Sequence, residues 1–348
     1  MNKEQTILKA ILGIIAAIFL MNELYPEQPQ DNQIEMAIQK GILFLEGAQL
    51  PSGEFAVYGC AGTSIKNCKY ESSPFPSSFI IHSLAAVDGK SISGMQSKAL
   101  SFILQNEGDG KVWRYLSKNN PSYYILPPDV DCTAVALAAL KEMGVAFEMP
   151  ESILNNTDSE GRFYTWLNKT GPYNTENDVD CVVNANLLFY FSLENRTDEK
   201  ICGYLNGIVD KRMLQNCSKY YPSEYALTYA LTRAYSVRPQ SCLEETTMEL
   251  KDYLIKSQKG DGSFGNNLET ALAAASLLNL DYDGPETTMA VNRIIETQQE
   301  DGGWPLDIFY TNGDKAGFGS RELTTAFSLE TMSKYQKMKK DDTQKNKN

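Results

Sequence analysis

Gln49-Leu-Pro-Ser-Gly53-Glu-Phe55, Gln258-Lys-Gly-Asp-Gly262-Ser-Phe264 and Gln298-Gln-Glu-Asp-Gly302-Gly-Trp304 share one pattern, Q-x3-G-x-[FW]. Thr157-Asp-Ser-Glu-Gly161-Arg-Phe163 keeps the glycine and the aromatic but not the glutamine. The stretch from Gln105 to Trp113 reads as the same turn lengthened by a residue or two. Recurrence of this kind marks one supersecondary unit stacked on copies of itself. A helical stretch precedes most of the turns, for example 36–46 and 248–257. Glycine supplies the positive φ that a helix C-terminus needs, and the aromatic two residues later can pack back under the turn.

The segments that follow the turns also align. They are Ser78-Phe-Ile-Ile-His-Ser-Leu84, Asp131-Cys-Thr-Ala-Val-Ala-Leu137, Asp180-Cys-Val-Val-Asn-Ala-Asn186, Glu224-Tyr-Ala-Leu-Thr-Tyr-Ala230, Glu269-Thr-Ala-Leu-Ala-Ala-Ala275 and Glu322-Leu-Thr-Thr-Ala-Phe-Ser328. Successive acidic positions lie 49, 44, 45 and 53 residues apart. Each segment opens on an acidic or hydroxyl residue, favoured at a helix N-terminus. Each is then apolar nearly all round, as a helix buried on every side must be. The expected fold is therefore all-α, a single (α/α)6 toroid of six outer–inner helix hairpins over residues 30–336. Its inner helices run parallel, which places Asp131, Asp180, Glu224, Glu269 and Glu322 around one mouth.

Composition narrows the chemistry. Of 348 residues 42% are hydrophobic, ample for a core, and 32 basic against 44 acidic side chains give a net charge of −12. So acidic a chain argues against nucleic acid as a partner. A single histidine, His82, excludes a His-rich metal site, and its place on a buried helix reads as a core or rim histidine. Seven cysteines leave at least one unpaired within the chain. Cys60/Cys68 and Cys202/Cys217 are the expected disulfides if the barrel is exported. Export or anchoring is suggested by the uncharged apolar run 10–21, so residues 1–29 read as a targeting or anchor segment, with the membrane surface as a partner. Residues 337–348 read as a polar, disordered tail.

One feature goes beyond helix starts. Asp129-Val-Asp131-Cys132 recurs as Asp178-Val-Asp180-Cys181, whereas the other units carry one acid and no cysteine. Asn184 and Asn186 follow on the second of these helices, where they either hydrogen-bond to neighbouring helices or line a polar cavity.

The Q-x3-G-x-[FW] turns resemble the QW motifs of the terpenoid cyclases, the squalene-hopene and oxidosqualene cyclase family. Pro128-Asp129-Val130-Asp131-Cys132-Thr133-Ala134 is similar to that family's Asp-x-Asp-Asp acid motif and to its Asp-Cys-Thr-Ala variant. Protein prenyltransferase β subunits share the toroid. The resemblance implies proton-initiated cyclisation of an isoprenoid alkene or epoxide, with Asp131 as general acid, Asp129 as its charged neighbour and Cys132 or another neutral donor hydrogen-bonded to Asp131. It implies an apolar isoprenoid-like ligand, with Asp178, Asp180, Asn184, Asn186, Tyr225 and Tyr229 at the binding site. Carbocations need π faces, and Phe79, Phe189, Tyr190, Phe191 and Phe327 on inner helices join those tyrosines as candidates. No cofactor and no metal is implied, because no Asp-Asp-x-x-Asp segment is present for a diphosphate–magnesium site; Asp341-Asp342 lacks the fifth residue. The family's enzymes usually combine two barrels where this chain has length for one, so a second subunit stays open, and Val135 stands where oxidosqualene cyclases have glutamate. The rival from another class is a non-catalytic toroid, membrane-anchored or exported, that binds a protein, glycan or lipid.

Overall fold

A computed structural model describes residues 29–345 apart from 63, 240 and 314. The apolar run 10–21 lies outside the described residues. The described chain is mostly helical: α1 (Asp31–Ala48), α2 (Pro74–Ala85), α3 (Ile92–Gln105), α4 (Val130–Glu142), α5 (Glu151–Leu154), α6 (Cys181–Leu193), α7 (Glu199–Asp210), α8 (Glu224–Val237), α9 (Glu244–Ser257), α10 (Asn267–Asn279), α11 (Pro285–Glu296) and α12 (Arg321–Lys345). The even-numbered helices form the inner layer. Each packs on the next, from α2 through α12, and α12 returns to α2. Outside them, α3 packs on α2 and α4, α7 on α6, α9 on α8 and α10, and α11 on α10 and α12, while α1 packs on α12.

Residue chemistry separates the two layers. Every residue of α6 from Cys181 to Ser192 is buried, as is every residue of α4 from Val130 to Leu140. The outer helix α7 buries one stripe only, Ile201, Cys202, Leu205, Ile208 and Val209, spaced as one face of a helix requires.

The repeated turns act as clasps. Gln298 Nε2 donates to the Gly302 carbonyl at 2.8 Å and to the Ala37 carbonyl in α1 at 2.8 Å. Gln49 does the same to Gly53 and to Met95 in α3, and Gln258 to Gly262 and to Glu286 in α11. Each glutamine thus holds its own turn and the neighbouring outer helix, and Gln298 joins the last unit to the first. Gly302 has φ 89°, and a Cβ there would stand 2.4 Å from the Lys40 carbonyl, so both backbone shape and proximity demand glycine. The buried aromatic completes the turn: Trp304 Nε1 donates to Ile294 O and Trp113 Nε1 to Ile103 O, each at 2.8 Å.

A small sheet departs from the all-α expectation. Strands β1 (Val57–Ala61), β2 (Lys69–Glu71), β3 (Tyr310–Thr311) and β4 (Ala316–Gly319) pair antiparallel in the order β2-β1-β4-β3. The β1–β4 pairing, from Tyr58↔Gly319 to Ala61↔Ala316, sews the first unit to the last. Strands of two to five residues leave too little alternation to be read from sequence.

Two further expectations change. Helix α12 continues through Lys345 into the stretch read as a disordered tail, because Lys337 donates to the Ala86 carbonyl and Lys339 pairs with Asp283. Disulfides join Cys60 to Cys68, Cys181 to Cys217 and Cys202 to Cys242, leaving Cys132 free and buried. The first is as expected and the Cys202/Cys217 pairing is not formed. Cys202 on α7 faces the segment leading into α9, whereas Cys217 lies under the start of α6, so nearness in sequence misled.

Candidate active site

Helix starts decide which acid does what. Asp129 is the N-cap of α4, its Oδ1 accepting the Cys132 N–H at 2.6 Å. Asp180 is the N-cap of α6, its Oδ1 accepting the Val182 and Val183 N–H groups at 2.9 and 3.2 Å. Four residues beyond each cap stands a polar side chain that accepts the backbone N–H of the preceding turn's aromatic: Thr133 for Trp113, Asn184 for Phe163. Ser77 and Thr270 repeat this for Phe55 and Phe264 in α2 and α10. The structural counterpart of Asp180 is therefore Asp129, and the two D-V-D-C runs are out of step by two residues.

That shift frees Asp131. It lies in the first turn of α4, 7% exposed, and neither oxygen caps the helix. Oδ2 accepts the Tyr221 hydroxyl at 2.6 Å and Oδ1 accepts Asn186 Nδ2 at 2.8 Å. Burial raises its pKa to about 6 against the pull of those two donors, with Asp180 raising it further and Arg233 opposing. Burial likewise pushes Asp129 to about 7, helped by the charge of Asp131 and resisted by Cys132. Both the N–H and the thiol of Cys132 are directed to Asp129, so of the two alternatives it is another neutral donor, not Cys132, that bonds to Asp131. The neutral donors on Asp131 are Tyr221 and Asn186.

Beyond Asp131 the barrel axis is aromatic. Phe309 packs edge-on against Tyr221, Phe79 and Phe327, with ring centroids 5.4, 5.2 and 5.3 Å apart, and Tyr229 meets Phe327 at 5.2 Å. Arg233 of α8 is buried among these rings, 4.1 Å from the centroid of Phe189, and donates to Asn186 Oδ1 at 2.7 Å. Farther along, Glu330 accepts from Tyr229, Ser83 and Lys334. Burial would raise its pKa, but the Lys334 ammonium and the His82 ring carry it down to about 2. His82 itself contacts Glu142 at 2.6 Å through Nδ1. At the opposite end of the axis the segment at Phe309–Thr311 crosses the mouth. Tyr310 stacks on Phe318 and meets Phe75, while the Thr311 N–H donates to Tyr220 O at 2.7 Å.

The expected site residues therefore divide. Asp131, Asn186 and Tyr229, with Phe79, Phe189 and Phe327, come together on the axis. Asp180 also accepts Ser218 Oγ and the Lys219 N–H, which makes it a cap and an anchor for that segment. Asp178 accepts Thr165 Oγ1, Tyr220 OH and Lys219 Nζ at a partly exposed edge. Asn184 bonds to both backbone groups of Phe163 and to Asp180 O, so it closes a turn. Tyr225 turns away from the axis toward Phe264 and Ser257 of α9, while Tyr190 and Phe191 face a cavity of about 350 Å3 beside Phe147 and Arg196. Glu224 and Glu269 stay at the partly exposed rim on Tyr253 and on the Asn266 capping box. A second cavity of about 890 Å3 lies at the other rim, near Tyr235, Asn279 and Lys334. Neither of these two cavities touches Asp131. Sequence reading missed Arg233 and Glu330, although a charged residue inside an otherwise buried helix is a visible signal. It also missed Tyr221 and Phe309, which sit in connecting segments and carried none. Among the described residues no cluster of three or more His, Cys, Asp or Glu could hold a metal, and no helix is long and apolar enough to cross a membrane.

The fold is similar to that of solved type II terpene cyclases. The chain superposes on MstE from Scytonema with a TM-score of 0.69 at 15% identity, covering 88% of this chain and 99% of that one. It matches ent-copalyl diphosphate synthase from Streptomyces platensis with a TM-score of 0.55 at 16% identity, over 75% of this chain and 50% of that one. An alpha-amylase from Clostridium perfringens also aligns, with a TM-score of 0.56 at 10% identity over 86% of this chain and 97% of that one, so the fold by itself does not select a reaction. Among curated proteins, drimenol cyclase drtB of Aspergillus calidoustus is 24% identical over 211 residues, 59% of this chain. The chain spans 38% of that relative's length. No protein-family model matches the chain.

Proposed function

We propose that this protein is a proton-initiated cyclase of an isoprenoid alkene or epoxide, with Asp131 as the general acid. One observation carries the reading. Asp131 is a buried carboxyl at the head of an aromatic axis, held by two neutral donors and spared from helix capping by Asp129. Protonating carbon needs a strong acid that is neutral before the step and steadied after it. Burial, and to a lesser degree the charge of Asp180, favour the neutral form, while Tyr221 and Asn186 receive the conjugate base. Phe79, Phe309, Phe327 and Tyr229 offer π faces to the cation, each worth up to about 2 kcal/mol when desolvated. The comparisons support the same chemistry: variants of MstE have been captured with geranylgeranyl dihydroxybenzoate as substrate and merosterolic acid A as product. The six-hairpin (α/α)6 description belongs to this proposal, with the four-residue α5 as the sixth outer helix. So does an oxidising compartment, reached through the 10–21 segment and supported by the three disulfides.

Incubating the purified protein with farnesyl, geranylgeranyl and prenyl-arene substrates and their terminal epoxides, followed by mass spectrometric product analysis, tests the reading. Cyclic isomers that vanish in Asp131→Asn are expected. The rings packed along the axis must part to admit a chain, and that packing favours one second reading, a non-catalytic toroid. No product from any substrate would leave that reading standing.

A further inference from the structure

Arg233 is 2% exposed, and among the described residues no carboxylate pairs with it. Its Nε has no hydrogen-bond partner. Glu330, a buried acid farther along the axis, is committed to Lys334 at 2.7 Å. The guanidinium instead lies among the rings of Phe189, Tyr229 and Phe79, at 4.1, 5.2 and 5.3 Å, and makes one hydrogen bond, to Asn186 Oδ1. A buried cation is a poor choice for packing alone, since an apolar side chain would fill the same space without desolvating a charge.

The single bond has a definite consequence. A guanidinium donates and never accepts, so Asn186 must present its oxygen to Arg233 and its NH2 to Asp131. An amide orientation that would otherwise be free to flip is thereby fixed. Because Nδ2 also only donates, Asp131 Oδ1 must accept, and the carbonyl oxygen of a protonated carboxyl is the better acceptor, which favours the acid's proton on Oδ2. Tyr221 faces the other oxygen at 2.6 Å, and its hydroxyl can donate or accept. We propose that Arg233 is a positioning residue which, through Asn186, places the Asp131 proton on Oδ2 and steadies the carboxylate left when that proton is given up. The chemistry rests on the cyclase reading above. In that step the Oδ2–H bond breaks and the alkene π pair forms a C–H bond. The O–H pair stays on Oδ2, and loss of a proton from the final cation balances the isomerisation. The other titratable groups about Asp131 are Asp129 and Cys132 on its own helix, Asp180 on α6 and Tyr221 and Tyr310 from the connecting segments.

The test reads the carboxyl itself. In the full-length protein, the infrared band of the protonated Asp131 carbonyl, assigned by its loss in Asp131→Asn, is titrated in wild type, Arg233→Met and Asn186→Asp. Arg233→Met removes the cation that fixes and polarises the amide, so the midpoint should rise by about one pH unit. Asn186→Asp keeps the shape but turns an acceptor toward Asp131, and a rise of about two units is expected as the two carboxyls share a proton. A folded Arg233→Met protein with an unmoved midpoint overturns the proposal. If that variant does not fold, an unmoved midpoint in Asn186→Asp overturns it. Wild-type protein that cyclises nothing yet shows both shifts removes the cyclase reading and leaves the relay in place.

Discussion

Asp129-Val-Asp131-Cys132 and Asp178-Val-Asp180-Cys181 are the same four letters on adjacent inner helices, and they do different work. In the second run the later aspartate caps its helix and the cysteine is bonded to Cys217, whose neighbour Ser218 returns to the same aspartate. In the first run the earlier aspartate caps, the cysteine is free, and the later aspartate is left facing the axis. Moving a helix start by two residues turns a helix cap into a carboxyl that faces the axis. A carboxylate's role is therefore set by its position relative to the first turn more than by the letters around it.

The largest expected effect breaks the pair apart in activity. Asp131→Asn should lower cyclisation by about 10³-fold, within the range of a general acid, while Asp180→Asn, measured at equal folded fraction, should cost far less. Product formation by Asp131→Asn within tenfold of wild type would erase the distinction. Stability should show the reverse order. Asp180→Ala loses a cap and strands the Ser218 and Lys219 donors, and a loss of about 3 kcal/mol in chemical denaturation is expected. Asp178→Ala, at a partly exposed edge, should cost under about 1 kcal/mol.

Acidity sharpens the contrast next. The acid must be protonated to act, so turnover should fall tenfold per pH unit above a midpoint near 6, the value to which burial raises Asp131. Stability follows from the same sign. A carboxyl whose folded pKa is raised adds stability below its unfolded pKa, about 4, and loses it as pH rises through the folded value. Asp129, raised to about 7, should make wild type lose stability between about pH 4 and 7 relative to Asp129→Asn, read as the difference between their denaturation midpoints. Smallest of all, Cys132→Ala removes one weak donor from Asp129 and should change stability by about 1 kcal/mol or less. The equivalent change at Cys181 opens a disulfide that closes 36 residues and should cost several times more.

Much of the ring was legible because each glutamine, glycine and aromatic in the turns has a task that only that residue performs. Helix register was not legible, because Asp129 and Asp131 are equally good caps by residue type. The signal that separates them was present: Thr133 and Asn184 stand 51 residues apart, as do Asp129 and Asp180, and these polar residues take the turn aromatics' N–H groups. Aligning on the acids alone gave 49 and hid it. The sheet, the Tyr221 donor and the Cys202–Cys242 bond depend on segments that meet only after the ring is assembled, so no local pattern announces them.

The seam formed by the β1–β4 pairing and the Gln298–Ala37 clasp bears on the protein's synthesis. Until Phe327 has left the ribosome, the nascent chain lacks the Phe309–Phe327 contact, so the ring cannot close. The buried setting of Asp131 is therefore complete only when the two ends of the polypeptide meet.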